Sequence, residues 1–480
     1  MKSDRRDFLK FTGLGWLGFL GAGLFSSCTS NNRESELDHI RRQVNRQYSQ
    51  TFNMSGYAAP ALDTVRVGVT GLGNRGSGTV VRLASLEGVE ITALNDLEPD
   101  RVASAEESID SDLHNPVGYS EGEDDWRRMC EQEDIDLIAI ATPWDLHAEQ
   151  TIYAMEQGKH VYVELPAAQT IEECWQLVET SERTRKHCVQ MSSSCHYGDQ
   201  AYVLNMVRNG LFGEIIHGEG AYIHDLMDDY NFTKDTYHDL WRLKENIGRN
   251  GNLYPQHGLV PVAQMMDLNY GDQMTHMVSM STNDFMMGNR AEELAAQDDF
   301  WEPYAGRDYR GNLNVSIIRT HNGRTIMLQH DVTTPRPRIR FDLISGTEGT
   351  FRAGKGIGFN YNDGWIPDQE YDQLFEEYKP EITRRFEELQ EQARRESPER
   401  GYARVNAMDW RLIDCLRNGL PMEMDVYEAA LTSAVIPLSE WSVANGSAPI
   451  EVPDFTNGAW RENQRRMDVN ISEGGTTRIR

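Results

Sequence analysis

The chain has 480 residues, which is enough for two hydrophobic cores, and its apolar content of 39% is that of a globular protein. Its 47 basic and 75 acidic residues give a formal net charge of −28. A surface of this sign repels nucleic acid phosphates and anionic lipid head groups, so we exclude both as partners of the folded part.

The first residues have the layout of an export signal. Arg5 and Arg6 precede an uncharged run rich in Gly and Leu at residues 11–32, which is typical of a twin-arginine signal. A transmembrane anchor is the alternative, but the strongly apolar part of the run is short. We therefore expect residues 1–30 to be a signal peptide. The segment that ends at Cys28 resembles a bacterial lipobox, which predicts a periplasmic protein or one anchored to a bacterial membrane through a lipid on Cys28.

The spacing of the six cysteines fits neither a C-x-x-C metal site nor a dense disulfide framework. We expect most of them to be small buried side chains. The His, Asp and Glu residues also lack a cluster with convincing metal-ligand spacing. The sequence therefore predicts no metal.

A glycine-rich turn follows the first predicted strand. Valines at every second position of residues 65–69 indicate a buried strand. Gly71, Gly73 and Gly76 then form the pattern G-x-G-x-x-G, which allows a tight turn and close approach of backbone N–H groups to a pyrophosphate. The anion would lie at the N-terminus of the next helix.

A carboxylate follows the second predicted strand, Val89–Leu94. Asp96 lies about twenty residues beyond the last glycine of the turn, where a carboxylate can accept hydrogen bonds from the adenosine ribose. An acid at this place would repel a 2′-phosphate and therefore favours NAD over NADP. A helix-capping Asp is the simpler alternative, but the order strand, glycine turn, helix, strand and acid favours a nucleotide site.

Residues 61–190 are predicted to form this NAD-binding domain, because strands and helices alternate through them. That order indicates a parallel sheet with helices on both faces and a ligand at the carboxyl ends of the strands. The polar stretch 31–60 before it is expected to be a tether with a possible short helix at Ile40–Tyr48. The remaining predicted elements are strands at Ile135–Thr142, His160–Val163 and His187–Met191 and helices at Leu146–Gln157 and Ile171–Arg183.

Residues 191–460 change in character after a helix at Gln200–Asn209. Strands follow with few helices between them, which predicts an α+β domain with an open, mainly antiparallel sheet. Residues 461–480 are expected to be a mobile polar tail. The strands are predicted at Ile215–Ile223, Met277–Met280, Leu313–Thr320, Thr325–Val332 and Ile339–Ile344, and the later helices at Tyr371–Arg395, Asn406–Asn418 and Val426–Asn445.

Two segments resemble the Gfo/Idh/MocA family of NAD-dependent sugar oxidoreductases. They are Ala141-Thr-Pro-Trp-Asp-Leu-His and Gly158-Lys-His-Val-Tyr-Val-Glu-Leu-Pro. In that family the second segment carries a catalytic Lys where this chain has Leu165. The proton transfer of an ordinary dehydrogenase is therefore lost at this position.

Further segments, above all Arg249-Asn-Gly-Asn-Leu-Tyr-Pro-Gln-His-Gly, resemble glycoside hydrolase family 109, the NAD-dependent α-N-acetylgalactosaminidases. This resemblance spans roughly residues 62–460. It implies a hydrolysis in which the C3 hydroxyl of the sugar is oxidised by bound NAD⁺, the C2 proton is removed, and the glycoside leaves from C1. Water then adds and the hydride returns, so the route differs from the usual pair of catalytic carboxylates.

The resemblance also implies roles for individual residues. His257 is the candidate for taking the C3 hydroxyl proton, and Tyr197 or Tyr254 for the C2 proton. Judged from the residues alone, these three and His147 would instead be packing or capping groups. The implied NAD contacts are Gly71, Gly73, Asn74, Arg75, Gly76, Asp96, Trp144, His147, Glu164, Leu165 and Ser194, and the implied sugar contacts are Tyr197, Arg242, Tyr254, Pro255, Gln256, His257 and Arg338.

Three positions depart from the family's pattern: Ser194, Arg338 and Val405. An arginine in a sugar site favours an acidic or sulfated group, so the sugar need not be N-acetylgalactosamine. The alternatives are a sugar oxidoreductase of the Gfo/Idh/MocA type and a carbohydrate-binding relative without activity. By analogy with the family, we also expect a homo-oligomer formed through the open face of the second sheet.

Overall fold

In the computed structural model, which describes residues 39–192, 195–196, 198–359, 364–396 and 405–480, the first domain is built on a six-stranded parallel sheet. Its strands are β1 (Val65–Thr70), β2 (Val89–Asn95), β3 (Val117–Tyr119), β4 (Leu137–Ile140), β5 (His160–Val163) and β6 (Cys188–Gln190). They lie in the order β3-β2-β1-β4-β5-β6. The order reverses between β1 and β4, which is where ligands bind in such sheets.

The helices of this domain cover both faces of the sheet, so the central strands β4 and β5 are buried along their whole length. The best-defined helix start is at Thr170, whose hydroxyl accepts a hydrogen bond from the Glu173 N–H while the Glu173 carboxylate accepts one from the Thr170 N–H. The helices are α1 (Gly76–Ala84), α2 (Pro99–Glu107), α3 (Asp125–Cys130), α4 (Trp144–Glu156) and α5 (Ile171–Thr184).

The second domain contains a sheet of eight described strands. They are β7 (Ile215–Ile223), β8 (Met274–Ser281), β9 (Leu313–Thr320), β10 (Thr325–Asp331), β11 (Ile339–Gly346), β12 (Gly349–Arg352), β13 (Gly356–Phe359) and β14 (Ile450–Glu451), in the order β13-β12-β11-β7-β10-β9-β8-β14. Among these strands β7 and β10 pair in parallel, and every other pair is antiparallel. The predicted α/β domain followed by an α+β domain with a mainly antiparallel sheet is confirmed.

Eight α-helices are described in this domain: α6 (Gly198–Arg208), α7 (Trp241–Lys244), α8 (Gln256–Met265), α9 (Met287–Ala295), α10 (Asp368–Glu377), α11 (Glu381–Glu396), α12 (Ala407–Asn418) and α13 (Val426–Ala444). Short π and 3₁₀ helices lie at Met227–Asn231, His238–Leu240, Asp299–Tyr304 and Ala459–Arg461. The predicted helix at Tyr371–Arg395 is wrong in one respect, because it is divided into α10 and α11. Pro380 lies in the gap, and proline disfavours helical backbone at the residue before it.

Helix α8 lies unusually close to strand β7. A Cβ on Gly220 would come within 2.3 Å of the Gly258 carbonyl oxygen, and a Cβ on Gly258 within 2.3 Å of the Ala221 nitrogen. These two glycines therefore allow the helix and the strand to touch through their backbones. The contact brings the start of α8, at Gln256, beside the carboxyl end of β7.

Both terminal segments pack onto the folded domains. In the predicted tether the Trp175 indole N–H donates to the Gln43 carbonyl at 3.1 Å, and the structure is helical at residues 39–44. The expectation of a mobile tail at 461–480 is wrong, because Met467, Val469 and Ile479 are buried in the main core. Three apolar side chains in a polar stretch are enough to hold it down.

The predicted signal peptide, with Cys28, lies outside the described residues. No described helix combines the length and the apolar composition needed to cross a membrane. The described cysteines, at positions 130, 174, 188, 195 and 415, are buried free thiols, as expected for small core side chains. Within the described ranges, no group of three or more His, Cys, Asp or Glu residues is placed to hold a metal ion.

Candidate active site

A cleft of about 970 Å³ opens where the carboxyl ends of β1, β2, β4 and β5 face the carboxyl end of β7. It is the place that the strand order predicts for a ligand. Of the residues predicted for the site, the cleft is lined by Gly71, Gly73, Asn74, Arg75, Asp96, Trp144, His147, Glu164, Leu165, Arg242, Tyr254 and Arg338.

Four described residues of the predicted site are not part of this lining: Gly76, Pro255, Gln256 and His257. Ser194 and Tyr197 lie outside the described residues. Gly76 serves the turn beneath the cleft, and Pro255 and Gln256 form the buried start of α8. His257 lies behind two aromatic rings of the cleft wall. Val405, whose departure from the family pattern suggested a changed substrate site, is buried in the main core instead.

The glycine turn leaves an open space for a ligand at the start of α1. A Cβ on Gly76 would lie 1.7 Å from the Gly71 carbonyl oxygen, so the turn is closed as tightly as backbone allows. Gly71 has a φ of +81°, and its Cβ would lie 2.6 Å from the backbone of Ala141. Around Gly73, by contrast, only the Arg101 side chain lies near, at 3.7 Å. This cradle fits a pyrophosphate bound by backbone N–H groups.

Asp96 is fixed at the edge of the same cradle. Its Oδ2 accepts a hydrogen bond from the Leu72 N–H at 2.7 Å, and its Oδ1 accepts one from the Glu98 N–H at 3.0 Å. The Arg101 guanidinium lies 3.5 Å from Oδ1. A carboxylate has about four acceptor positions, so Asp96 is oriented by these contacts and still has capacity for two ribose hydroxyls. The residues present therefore fit the adenosine half of NAD.

His147 is held between two backbone carbonyls. Its Nδ1 lies 2.7 Å from the Pro166 oxygen and its Nε2 lies 2.8 Å from the Thr142 oxygen. Burial lowers the pKa of His147, and in the neutral imidazole only one of the two nitrogens is a donor. Both ring nitrogens of His147 therefore face backbone carbonyls. The side chain links the start of α4 to the segment after β5 and so positions the cleft wall.

Aromatic rings from both domains form the middle of the cleft. Trp144 stacks on Tyr254 with ring centroids 5.0 Å apart and planes 17° apart, and Trp241 meets Trp144 edge-on at 5.3 Å. The Arg242 guanidinium carbon lies 5.1 Å from the Trp144 centroid and 5.5 Å from the Tyr254 centroid. No carboxylate of the described chain pairs with Arg242, whose guanidinium is surrounded by aromatic rings that include Tyr237 and Trp241.

His257 lies at the start of α8, where its ring stacks on Tyr222 at 5.0 Å and meets Tyr254 edge-on at 4.8 Å. Burial lowers the pKa of His257 well below its usual range, and the charges of Arg340 and Arg75 add to this effect. The imidazole is therefore neutral near pH 7 and able to accept a proton. Burial raises the pKa of Tyr254, so its phenol keeps its proton at the same pH.

The cleft also contains a cationic corner that the sequence prediction found only in part. Tyr222 and His224 follow each other at a spacing of two along the end of β7, and Arg338 and Arg340 do the same at the start of β11. Strand pairing places Ile339 opposite Ile223, so the two pairs are neighbours. Residues two apart on a strand share a face, which is the signal that could have added Tyr222, His224 and Arg340. The other lining residues that were missed include Arg101, Leu226, Tyr230, Tyr237, His238 and Trp241.

Leu165 places an apolar side chain at the floor of the cleft. It is 2% exposed and belongs to a cluster with Trp144, Tyr222 and Tyr254. Its N–H donates to the Glu164 carboxylate at 3.1 Å. This position therefore supplies packing and no titratable group.

Comparisons with known proteins agree with this geometry. The model of the family "Glycosyl hydrolase 109, C-terminal domain" matches residues 197–462, and that of "Oxidoreductase family, NAD-binding Rossmann fold" matches residues 65–192. The chain is 42% identical over 422 residues to an alpha-N-acetylgalactosaminidase of Bacteroides fragilis, covering 86% of this chain and 97% of that protein. It is 40% identical over 471 residues to a glycosyl hydrolase family 109 protein of Solibacter usitatus, covering 96% of this chain and 99% of that protein.

Solved structures with the same fold include dehydrogenases bound to NADH. The WlbA dehydrogenase of Bordetella pertussis, in complex with NADH and UDP-GlcNAcA, has a TM-score of 0.56 and 18% identity, covering 82% of this chain and 100% of that one. A levoglucosan dehydrogenase in complex with NADH and levoglucosan has a TM-score of 0.58 and 17% identity, with the same coverage. The predicted resemblance and the predicted NAD cofactor are confirmed, and the chain belongs to glycosyl hydrolase family 109 as an NAD-dependent glycosidase with a Rossmann domain.

Proposed function

We propose that this chain is an exported glycosidase that cleaves α-linked N-acetylgalactosaminide-like sugars and regenerates its NAD within each turnover. The observation that carries the proposal is the shortage of carboxylates in the cleft. Among the described lining residues only Asp96 and Glu164 are acidic, and Asp96 is committed to the glycine turn. Hydrolysis by two carboxylates needs both of them beside the glycosidic bond.

NAD, when bound, supplies hydride abstraction from the sugar and its return. The chain's own residues hold the sugar, exclude water and move protons. Trp144 and Leu165 provide an apolar wall from the first domain, and Tyr222 and Tyr254 provide one from the second. Burial of these rings keeps water from the reacting carbons.

We assign acceptance of the C3 hydroxyl proton to His257 acting through Tyr254, because the His257 ring lies behind Tyr222 and Tyr254 and of these three side chains only the tyrosines line the cleft. Its imidazole is neutral at pH 7, whereas Tyr254 retains its proton, so Tyr254 serves as a hydrogen-bond donor or relay and not as the resting base. The C2 proton is then assigned to Tyr197, which is the remaining candidate from the sequence.

The test is to purify the mature protein without added nucleotide and to measure bound NAD(H) by absorbance. The protein is then given aryl α- and β-glycosides, including the α-N-acetylgalactosaminide. Bound nucleotide with aglycone release and no net NADH supports the proposal. Net NADH formation from free sugar would move the assignment to a sugar oxidoreductase, and binding without turnover would favour a non-catalytic relative.

Export and lipid attachment form a second part of the proposal, supported by the Arg5-Arg6 pair and the segment around Cys28. In a bacterial host with a twin-arginine pathway, replacing both arginines with Lys should keep the protein in the cytoplasm. Cys28→Ala should release the exported protein from the membrane fraction. Export that is unaffected by the Lys pair would contradict the first step.

A homo-oligomer is supported by the outer face of the second sheet. Apolar cross-strand pairs form a patch on this face, with Ile317 opposite both Val278 and Met327, and Met280 opposite Val315. Met280 is 65% exposed and Ile317 is 47% exposed. An exposed apolar patch of this kind, bordered by Arg319, favours a second copy as its cover. The molar mass measured by light scattering should be that of at least a dimer. Ile317→Asp should shift the mass toward that of the monomer. A monomeric parent protein would contradict the proposed homo-oligomer.

A further inference from the structure

The cleft contains more arginine side chains than binding of the cofactor explains. Five arginines line the cleft, at positions 75, 101, 242, 338 and 340, against the two described carboxylates. Arg101 faces Asp96, and Arg75 lies beside the glycine turn where the pyrophosphate fits. Arg242, Arg338 and Arg340 belong to the second domain, and Arg242 lies among the aromatic rings.

These three arginines converge on one place. Their charges all act on His224 and on His257, whose rings both contact Tyr222. Arg338 is exposed to the cleft and has no carboxylate within ion-pairing distance in the described part of the chain. The Nδ1 of His224 is buried and also lacks a hydrogen-bond partner there.

The Arg338 guanidinium and the Nδ1 of His224 are thus the groups of this corner that a ligand can satisfy. Like charges repel each other in a partly desolvated cleft, and a buried ring nitrogen without a partner loses its hydrogen bond to water. The cluster is explained if the ligand itself brings a negative charge to this corner.

We infer that the cleft recognises a sugar bearing an anionic substituent, a sulfate ester or a carboxylate, through Arg338, with His224 and Arg340 beside it. Guanidinium groups bind both oxyanions through paired N–H donors, which a neutral hydroxyl cannot match. This inference rests on the proposed glycosidase function and narrows its substrate class.

The experiment uses the NAD-loaded protein and follows ligand binding by tryptophan fluorescence, since Trp144 and Trp241 line the cleft. The ligands are N-acetylgalactosamine, its 6-sulfate and galacturonic acid. We expect at least one anionic sugar to bind roughly ten- to a hundredfold more tightly than the neutral sugar at low salt. The preference should shrink as salt is added. If the 6-sulfate binds more tightly than galacturonic acid, the recognised group is a sulfate ester. If galacturonic acid binds more tightly, the recognised group is a carboxylate.

Arg338→Gln should remove most of this preference, and Arg338→Lys should restore part of it. Arg336→Gln is the matched control, because Arg336 lies on the same loop, donates to Gln329 and does not line the cleft. Equal binding of neutral and anionic sugars, or binding of none of them, would overturn the inference. Loss of NAD from Arg338→Gln would overturn it too, because the arginine would then serve the cofactor.

Failure of this inference is separable from failure of the proposed function. If the protein cleaves a neutral aryl α-glycoside and shows no preference for anionic sugars, the proposed glycosidase function stands and the anionic substrate class is rejected. If the protein cleaves no glycoside but still binds anionic sugars more tightly, and this preference depends on Arg338, the anion-binding corner stands. The proposed glycosidase function is then rejected.

Discussion

Trp144, at the start of a helix in the Rossmann domain, stacks on Tyr254, just before a helix of the second domain, with 5.0 Å between ring centroids. The contact joins the two domains at the centre of the cleft. A stacked aromatic pair of this kind is worth about 0.5–1.5 kcal/mol beyond the area that it buries. It fixes the distance between the nucleotide cradle and the residues proposed to hold the sugar.

Gly76→Ala should abolish NAD retention and destabilise the fold. The added Cβ would lie 1.7 Å from the Gly71 carbonyl oxygen, and neither backbone group can move without opening the turn. We expect a loss of about 2–3 kcal/mol in the free energy of unfolding, as for overpacking elsewhere. Gly122→Ala is the control, since a Cβ there meets nothing within 4 Å. Measurements of nucleotide content and of thermal unfolding compare the two variants. If Gly76→Ala keeps its nucleotide and its stability, the glycine turn is not the nucleotide-binding cradle.

His257→Asn should lower kcat by about a hundredfold or more while NAD stays bound, because a general base contributes that much. The pKa of His257 lies below its usual range, so its neutral form persists into acid. Activity should therefore remain level as the pH falls through 6.5 and decline only below it. A parent enzyme that loses half its activity at or above that pH would contradict the assignment.

Arg242→Lys should weaken sugar binding several-fold. The guanidinium lies over Trp144, and a lysine ammonium loses the stacking that a planar group makes, at a cost of about 1 kcal/mol. Arg461→Lys is a matched control, because Arg461 lies 4.2 Å over Trp460 outside the cleft. Titration by tryptophan fluorescence compares the two, and equal sugar affinity in both variants would argue against a ligand role for Arg242.

The fold itself should lose stability as the pH rises from the acid range to about 8. Burial raises the pKa of Glu428 to about 8, with the charge of Asp425 adding to the shift, and burial raises the pKa of Asp425 to about 6. A carboxyl group with a raised folded pKa binds protons more tightly in the folded state, so its contribution is present at low pH and lost as the pH rises through that value. Chemical denaturation at pH 6 and pH 9 should show this fall, on the order of 1 kcal/mol or more. Glu428→Gln should make the free energy of unfolding less dependent on pH. If this variant loses as much stability between pH 6 and pH 9 as the parent protein, other groups cause the pH dependence.

The nucleotide end of the site could be predicted from sequence because its determinants are local. Gly71, Gly73 and Asp96 follow their strands within a few positions, and the strand order then brings them together. The cationic corner depends on register between strands far apart in the chain, which places Arg338 and Arg340 beside His224. Periodicity shows that residues share a face but not which strand lies next to it.

The packing of residues 461–480 is hard to predict from sequence for a related reason. Residues 461–480 are polar on average, and the burial of Met467, Val469 and Ile479 depends on grooves offered by distant helices. The break in the predicted helix at Tyr371–Arg395 was a local signal, since Pro380 interrupts it in the sequence.

The most direct test of the account is hydrolysis of an aryl α-N-acetylgalactosaminide in D₂O by the NAD-loaded protein. Removal of the C2 proton and its replacement from solvent predicts deuterium at C2 of the released sugar, with one nucleotide retained per protein and no net NADH. Released sugar that carries only hydrogen at C2 would show direct displacement at C1 and would contradict the proposed route.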